Sequence, residues 1–144
     1  VRARPPAVVD TGVFGARLTP RSALGSQYRP LVDGRPAFIS FQTVAELSYG
    51  ARLARWGDAR TARLRMLIAS AETVWPGPAL VDVYAQLRVE CVRAGHALGQ
   101  RVHDADRWIA ATAIQLGVPL IAHDAVFKEA PGLVLETLLD DSAR

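Results

Sequence analysis

Ala7-Val8-Val9-Asp10 is a short apolar run that stops at a carboxylate, and its reading decides the fold. Apolar residues at consecutive positions, rather than at every second one, mark a parallel strand covered on both faces. A counterpart stands far along the chain, where Pro119-Leu120-Ile121-Ala122 runs into His123-Asp124. Two buried strands ending in aspartate, with helical patterns between them, point to a parallel α/β sheet.

Working outward, Thr11-Gly12-Val13-Phe14 turns into a short helix. Residues 19–36 hold three Pro and two Gly and read as a loop with a helical piece over 23–32. Ala37-Phe38-Ile39-Ser40 is a second strand. The spacing predicts a helix over residues 42–55, closed by Gly57, then another from Asp58 as its cap to about 71, with Leu64, Leu67, Ile68 and Ala71 on one face. Thr73-Val74-Trp75 is a third strand stopped by Pro76. Pro78 opens a helix to 94 that aligns Leu80, Val83, Tyr84, Leu87 and Cys91. Residues 95–103 read as a loop, 106–116 as a helix stopped by Gly117, and Leu133-Val134-Leu135 as a fifth strand. Strands alternate with helices without a repeat or a linker. A single domain over residues 1–144 is expected, with flexible ends at 1–6 and 137–144.

Half of the residues are hydrophobic, enough for a full core without staples. The lone cysteine, Cys91, sits in an apolar helical pattern, so it reads as a small buried hydrophobe and fits a reducing compartment. No apolar run approaches the ~18 residues of a membrane span. The apolar run after the basic start ends at Asp10, which excludes a signal peptide. A soluble cytoplasmic protein without membrane contact is expected. The formal charge is +3, and all basic residues but Lys128 are Arg. Arg forks suit phosphate oxygens. A GC-rich genome produces the same bias, so charge alone does not establish a nucleic-acid partner.

Of the 14 acidic residues, four stand in apolar settings: Asp10, Glu46, Asp106 and Asp124. Asp10 and Asp124 end strands, and in open α/β sheets ligands bind beyond the carboxyl ends of strands. Glu46 lies about one turn into the helix after the second strand. Asp106 opens a helix on the side of Ile109, Ala110 and Ala113. Each has a bland reading: a turn cap for Asp10, a turn residue in Asp124, a partner of Arg in Glu46, a helix-dipole charge in Asp106. Together they are harder to explain, because two carboxylates ~4 Å apart repel by ~4 kcal/mol at an effective dielectric of 20. Such a cluster needs protons or a divalent cation, and hard oxygen ligands select Mg²⁺, with Mn²⁺ as a substitute.

Val8-Val9-Asp10-Thr11, Thr43-Val44-Ala45-Glu46-Leu47, Asp106-Arg107-Trp108-Ile109-Ala110-Ala111-Thr112-Ala113 and Pro119-Leu120-Ile121-Ala122-His123-Asp124 together resemble a PIN-domain ribonuclease, most of all the VapC toxins of bacterial type II toxin–antitoxin systems. The stretch from Asp106 is the most specific. The resemblance covers almost the whole chain and implies a three-layer α/β/α sandwich with a parallel central sheet. It matches Asp10, Glu46, Asp106 and Asp124 to the family's acidic quartet, both catalytic and metal-holding, and Thr11 to the hydroxyl beside the first Asp. It departs at Ala122, where the family often has Thr, and at His123, where Arg is common. The implied activity is Mg²⁺-dependent endoribonucleolytic hydrolysis leaving a 5′-phosphate and a 3′-hydroxyl, inhibiting translation or growth. The implied partners are an RNA substrate, a cognate VapB-like antitoxin and a second copy in a homodimer.

Asp104, close to Asp106, reads as the cap of the 106–116 helix rather than an extra ligand. Arg101 and Arg107 are candidates to guide RNA, as is the charge of Arg52, Arg55, Arg60 and Arg63 in the middle helices. His103 and His123 flank the cluster, as phosphate contacts or plain loop residues. Two readings compete within the fold, a catalytically silent interaction module and a nuclease with a housekeeping RNA-processing role. A phospho-acceptor receiver domain fits poorly, because the only Lys is Lys128.

Overall fold

The structure, a computed structural model, describes residues 4–141. Among these, five strands form one parallel sheet: β1 (Ala7–Val9), β2 (Ala37–Ser40), β3 (Glu72–Val74), β4 (Leu120–Ile121) and β5 (Leu135–Glu136), in the order β3-β2-β1-β4-β5. Chain order runs outward from β1 to β3, then crosses back to the other side of β1. The topological switch point therefore lies between β1 and β4, where Val8 is opposite Leu120 and Val9 opposite Ile121. This is where a parallel sheet leaves a crevice for a ligand.

Six α-helices cover the sheet: α1 (Thr11–Gly15), α2 (Ala23–Val32), α3 (Phe41–Leu53), α4 (Asp58–Ala69), α5 (Pro78–Ala94) and α6 (Asp104–Leu116). The two faces are separated by the period-2 pleat. Val8, Leu120 and Ala122 join one core with Leu80, Leu87, Cys91 and the inner residues of α6. Ala7, Val9, Ile39 and Ile121 join another with Val13, Phe14, Tyr28 and Val32. The result is the three-layer α/β/α sandwich expected from the sequence.

Local signals set most boundaries. Pro78 starts α5, and Gly95 ends it in the left-handed conformation at φ 67°. Gly117 does the same for α6 at φ 66°. Some expected details differ: β3 covers Glu72–Val74 rather than 73–75, and β5 covers Leu135–Glu136 rather than 133–135. Gly57, not Asp58, is the cap of α4, and Asp58 is its first residue. Asp104 is the first residue of α6 rather than its cap. Its carboxylate accepts from Tyr84 Oη and, at 3.0 Å, from Arg107, and the helix starts two residues earlier than 106. The expected loop at 95–103 holds two 3-10 turns, Ala97–Gly99 and Arg101–His103, with Leu98 fully buried. Gly99 permits this packing: a Cβ there would stand 3.0 Å from the backbone N of Val92.

The expected flexible ends fall partly on residues 1–3 and 142–144, outside the described residues. Within them, Arg4 donates to Pro30 O at 2.9 Å and Asp33 O at 2.5 Å. Arg35 grips Glu136 with two bonds, at 3.1 and 3.0 Å. The Tyr28 hydroxyl, at the centre of the molecule, lies 3.2 Å from Ala122 O, 2.7 Å from His123 Nδ1 and 3.2 Å from Thr137 Oγ1, and accepts from Leu138 N–H at 2.9 Å. It thus joins α2, the end of β4 and the chain after β5. Tyr28→Phe leaves those groups short of a buried partner and is expected to cost about 1–3 kcal/mol. Urea unfolding measures this, and a loss below a few tenths of a kcal/mol would show that the groups find other partners.

Candidate active site

Asp10 follows β1 directly and occupies the cap position of α1, but its side chain makes no capping bond to that helix. Of the turn-cap reading, only the adjacent Thr11 N–H acts on the carboxylate. The residue is only 9% exposed. Its carboxyl is raised from 3.8 to about 7, chiefly because burial disfavours the charged form. The backbone N–H of Thr11 opposes this shift, and the charges of Asp106, Glu46 and Asp124 add to it. The sheet edge thus brings all four sequence-singled carboxylates within electrostatic reach of one another.

Asp106 sits in the first turn of α6. Its carboxyl is also raised, first by burial and then by Asp124 and Glu46, against a lowering hydrogen bond from His103. That bond joins His103 Nδ1 to Asp106 Oδ2 at 3.0 Å. Glu46 is half-buried in α3, where its Oε1 accepts from Gln42 Nε2 at 3.3 Å. Asp124 is exposed, and its Oδ1 accepts from Val126 N–H at 2.9 Å, capping the 3-10 turn Ala125–Phe127. The turn reading of Asp124 thus accounts for one of its oxygens. Among the described residues, Asp10, Glu46 and Asp124 have no Arg or Lys at salt-bridge distance. The proposed Arg partner of Glu46 is therefore not there.

Among the described residues no three Asp, Glu, His or Cys side chains already converge as a ready-made cage. The donor set itself fits a hard divalent cation: all oxygen, with one carboxylate pushed toward neutrality chiefly by burial and further by three like charges. A cation is the group that would relieve that repulsion.

The surrounding residues hold this edge in place. Thr11 Oγ1 lies 2.8 Å from Oγ1 of the buried Thr43, tying the start of α1 to α3. Ser40 caps α3 by accepting from Gln42 N–H at 3.1 Å. The role of Arg107 is corrected: its side chain is 1% exposed, so it does not reach RNA. Its guanidinium donates to Leu98 O at 2.6 Å and Gln100 O at 2.5 Å, and lies over the Tyr84 ring. The spacing contained that signal, since Arg107 stands three and four residues before the fully buried Ala110 and Ala111. Arg101 is exposed. His96 is structural, with Nε2 2.7 Å from Lys128 O and Nδ1 accepting from Leu98 N–H. His123 packs edge-on against Tyr28. The contacts of His103 with Asp106 and of Gln42 with Glu46 leave no pattern in the sequence beyond the i,i+3 and i,i+4 spacings.

The PIN domain family model matches residues 7–133. The chain is 32% identical over 127 residues to Ribonuclease VapC5 of Mycobacterium tuberculosis, covering 87% of each protein. Its fold is similar to a chain of DNA-bound VapBC from Salmonella typhimurium, with a TM-score of 0.76 at 22% identity over 93% of this chain and 98% of that one. It is also similar to a chain of the VapBC-5 toxin–antitoxin structure from Mycobacterium tuberculosis, with a TM-score of 0.63 at 28% identity over 92% and 96%.

Proposed function

This chain belongs to the PIN-domain family, as a VapC-like member, and on that premise we propose that it is an Mg²⁺-dependent endoribonuclease acting as the toxin of a toxin–antitoxin pair. The observation that carries the reading is the state of Asp10: buried at the switch point of the sheet, without a cationic partner, and raised to about 7 with three carboxylates adding to the shift. A group in that state is stable as an anion only beside added positive charge.

In this reading Asp10, Asp106 and Asp124 are the metal ligands, with Glu46 completing the site. A divalent cation held there supplies charge opposite the scissile phosphate and makes water a better nucleophile at neutral pH. His103 fixes Asp106 through Oδ2, so that Oδ1 is the oxygen that would take the metal. Gln42 holds Oε1 of Glu46 and leaves Oε2 to orient a water. Thr11, tied to Thr43, keeps the Asp10 backbone from swinging away. The products are a 5′-phosphate and a 3′-hydroxyl.

The partner is a VapB-like antitoxin. Tyr49 and Leu53 on α3 and Met66 on α4 are exposed apolar side chains among Arg52, Arg60 and Arg63, a surface suited to a mixed apolar and acidic partner. The chain pairs with a second copy as a homodimer, and among the described residues no helix is long and apolar enough to cross a membrane.

The test is cleavage of single-stranded RNA by purified protein with Mg²⁺, with chelator, and by Asp106→Asn. The expected result is Mg²⁺-dependent cutting that chelator stops and the variant lowers by about 10²-fold or more. Equal cutting by the variant would remove Asp106 from the site. Absence of any Mg²⁺-dependent cutting by the native protein would favour the silent module.

A further inference from the structure

A cavity of about 700 Å³ adjoins the carboxylate cluster on its β5 side. One wall is the turn that follows Asp124, through Val126, and another is His103, which holds Asp106. The cavity is thus bounded by neighbours of two of the four carboxylates. Leu135 of β5 and Ala97 also line it, and Thr137 and Leu139 of the chain after β5 form a far wall.

That far wall is built rather than incidental. Thr137 Oγ1 lies 3.2 Å from the Tyr28 hydroxyl and accepts from Leu139 N–H at 3.2 Å. Lys128 Nζ donates to Asp140 O, and the Lys128 carbonyl is itself 2.7 Å from His96 Nε2. The volume lies within the ~300–1,000 Å³ typical of small-molecule sites, which are apolar pockets with a few polar edges. An unpaired nucleobase has that character: flat apolar faces and hydrogen-bonding edges. His103, Lys128, Glu129 and Asp141 give the lining its polar edges, and His103, which engages Asp106 through Nδ1, is the one of these bonded to the cluster.

We propose that this cavity receives the base of the nucleotide adjoining the cleaved phosphate, so that the substrate is single-stranded RNA with one base turned out of the stack and a base preference at that position. The proposal rests on the ribonuclease reading above. Duplex RNA hides the base edges and faces, whereas unpaired bases are free to enter such a pocket.

Two measurements test it. In the first, each of the four nucleoside monophosphates is titrated into the native protein and backbone amide shifts are followed by NMR. Shifts at Val126 and Leu135 from at least one nucleotide are expected. In the second, a pool of random single-stranded RNA is cut with Mg²⁺ and the cut ends are sequenced, for the native protein and for Leu139→Trp and Ala97→Trp. Both variants fill the cavity from walls outside the carboxylate cluster. The native protein should show a base preference at one position beside the cut and spare the same sequences in duplex form. Each folded variant should weaken that preference by about tenfold or more while keeping the native rise in melting temperature with Mn²⁺. No nucleotide shift at the cavity overturns the proposal, as does an unchanged preference in both variants. Shifts at the cavity without any cleavage by the native protein would retire the ribonuclease reading and keep the nucleotide site. If the variants fail to fold, the native shift map decides alone.

Discussion

Asp10→Asn is expected to lower Mg²⁺-dependent RNA cleavage by about 10²-fold or more, and also to stabilise the metal-free protein at neutral and alkaline pH. Asparagine keeps the shape of the side chain and removes the charge that burial and three neighbours oppose. The native group is raised from 3.8 to about 7, so the folded state holds this proton more tightly than the unfolded chain does. Its contribution is fully present below about pH 4 and is lost as pH rises through 7. A shift of that size is on the order of 4 kcal/mol once both states are ionised. Thermal unfolding in chelator at pH 5 and pH 8 measures it. The native midpoint should fall between the two by more than that of Asp10→Asn, and the variant should melt several degrees higher at pH 8. Millimolar Mn²⁺ should recover most of the native loss and little in the variant, because only the native site gains by binding. Matching pH profiles for the two proteins would remove Asp10 from a strained cluster.

Arg107→Ala is expected to destabilise the protein by about 3–5 kcal/mol. The ion pair with Asp104 is the lesser part of this, because that carboxylate is 54% exposed and screened by solvent. The larger part comes from the two carbonyls of Leu98 and Gln100, which lose a charged donor, and from the space left beside Tyr84. Arg107→Lys keeps the charge but not the fork, and is expected to recover only part of the loss. Urea unfolding with a linear extrapolation gives both values. A loss under about 1 kcal/mol for Arg107→Ala would mean that the 95–103 segment is held by Leu98 alone. His103 lies at the end of that segment, so the same variant should also loosen its hold on Asp106 and lower the Mn²⁺ response.

The strands and helices were legible because their signals are local. The consecutive apolar residues of β1 and β4, Pro78 at the start of α5 and Gly95 and Gly117 at helix ends each act within a few residues. The shared edge of Asp10 and Asp124 was legible because both follow strands of one parallel sheet, whereas Glu46 and Asp106 reach it from helices. Arg107 departs from its expected RNA-facing role because α6 has more than one inner face, its residues from Ile109 to Ala113 being buried all round. Asp104 was misread because the hydroxyl that claims it, on Tyr84, is twenty residues earlier. The hub at Tyr28 had no local sign at all, since its partners lie 94 to 110 residues along the chain. Contacts of that range come from topology, which residue patterns reveal only as a list of candidate strands.

The placement of β1 in the middle of the sheet has a consequence for synthesis. Asp10 is made early, but the neighbour that completes its crevice, β4, pairs through Leu120 and Ile121, and Asp124 follows. A nascent chain grows at about 5–20 residues per second, so for several seconds β1 is available only to β2 on one side. Through most of that interval the growing polypeptide lacks both Asp106 and Asp124, half of the four carboxylates, as well as one wall of the crevice. On the ribonuclease reading proposed above, the domain is inert beside messenger and ribosomal RNA until nearly all of it has emerged, and products truncated before Asp124 lack that carboxylate.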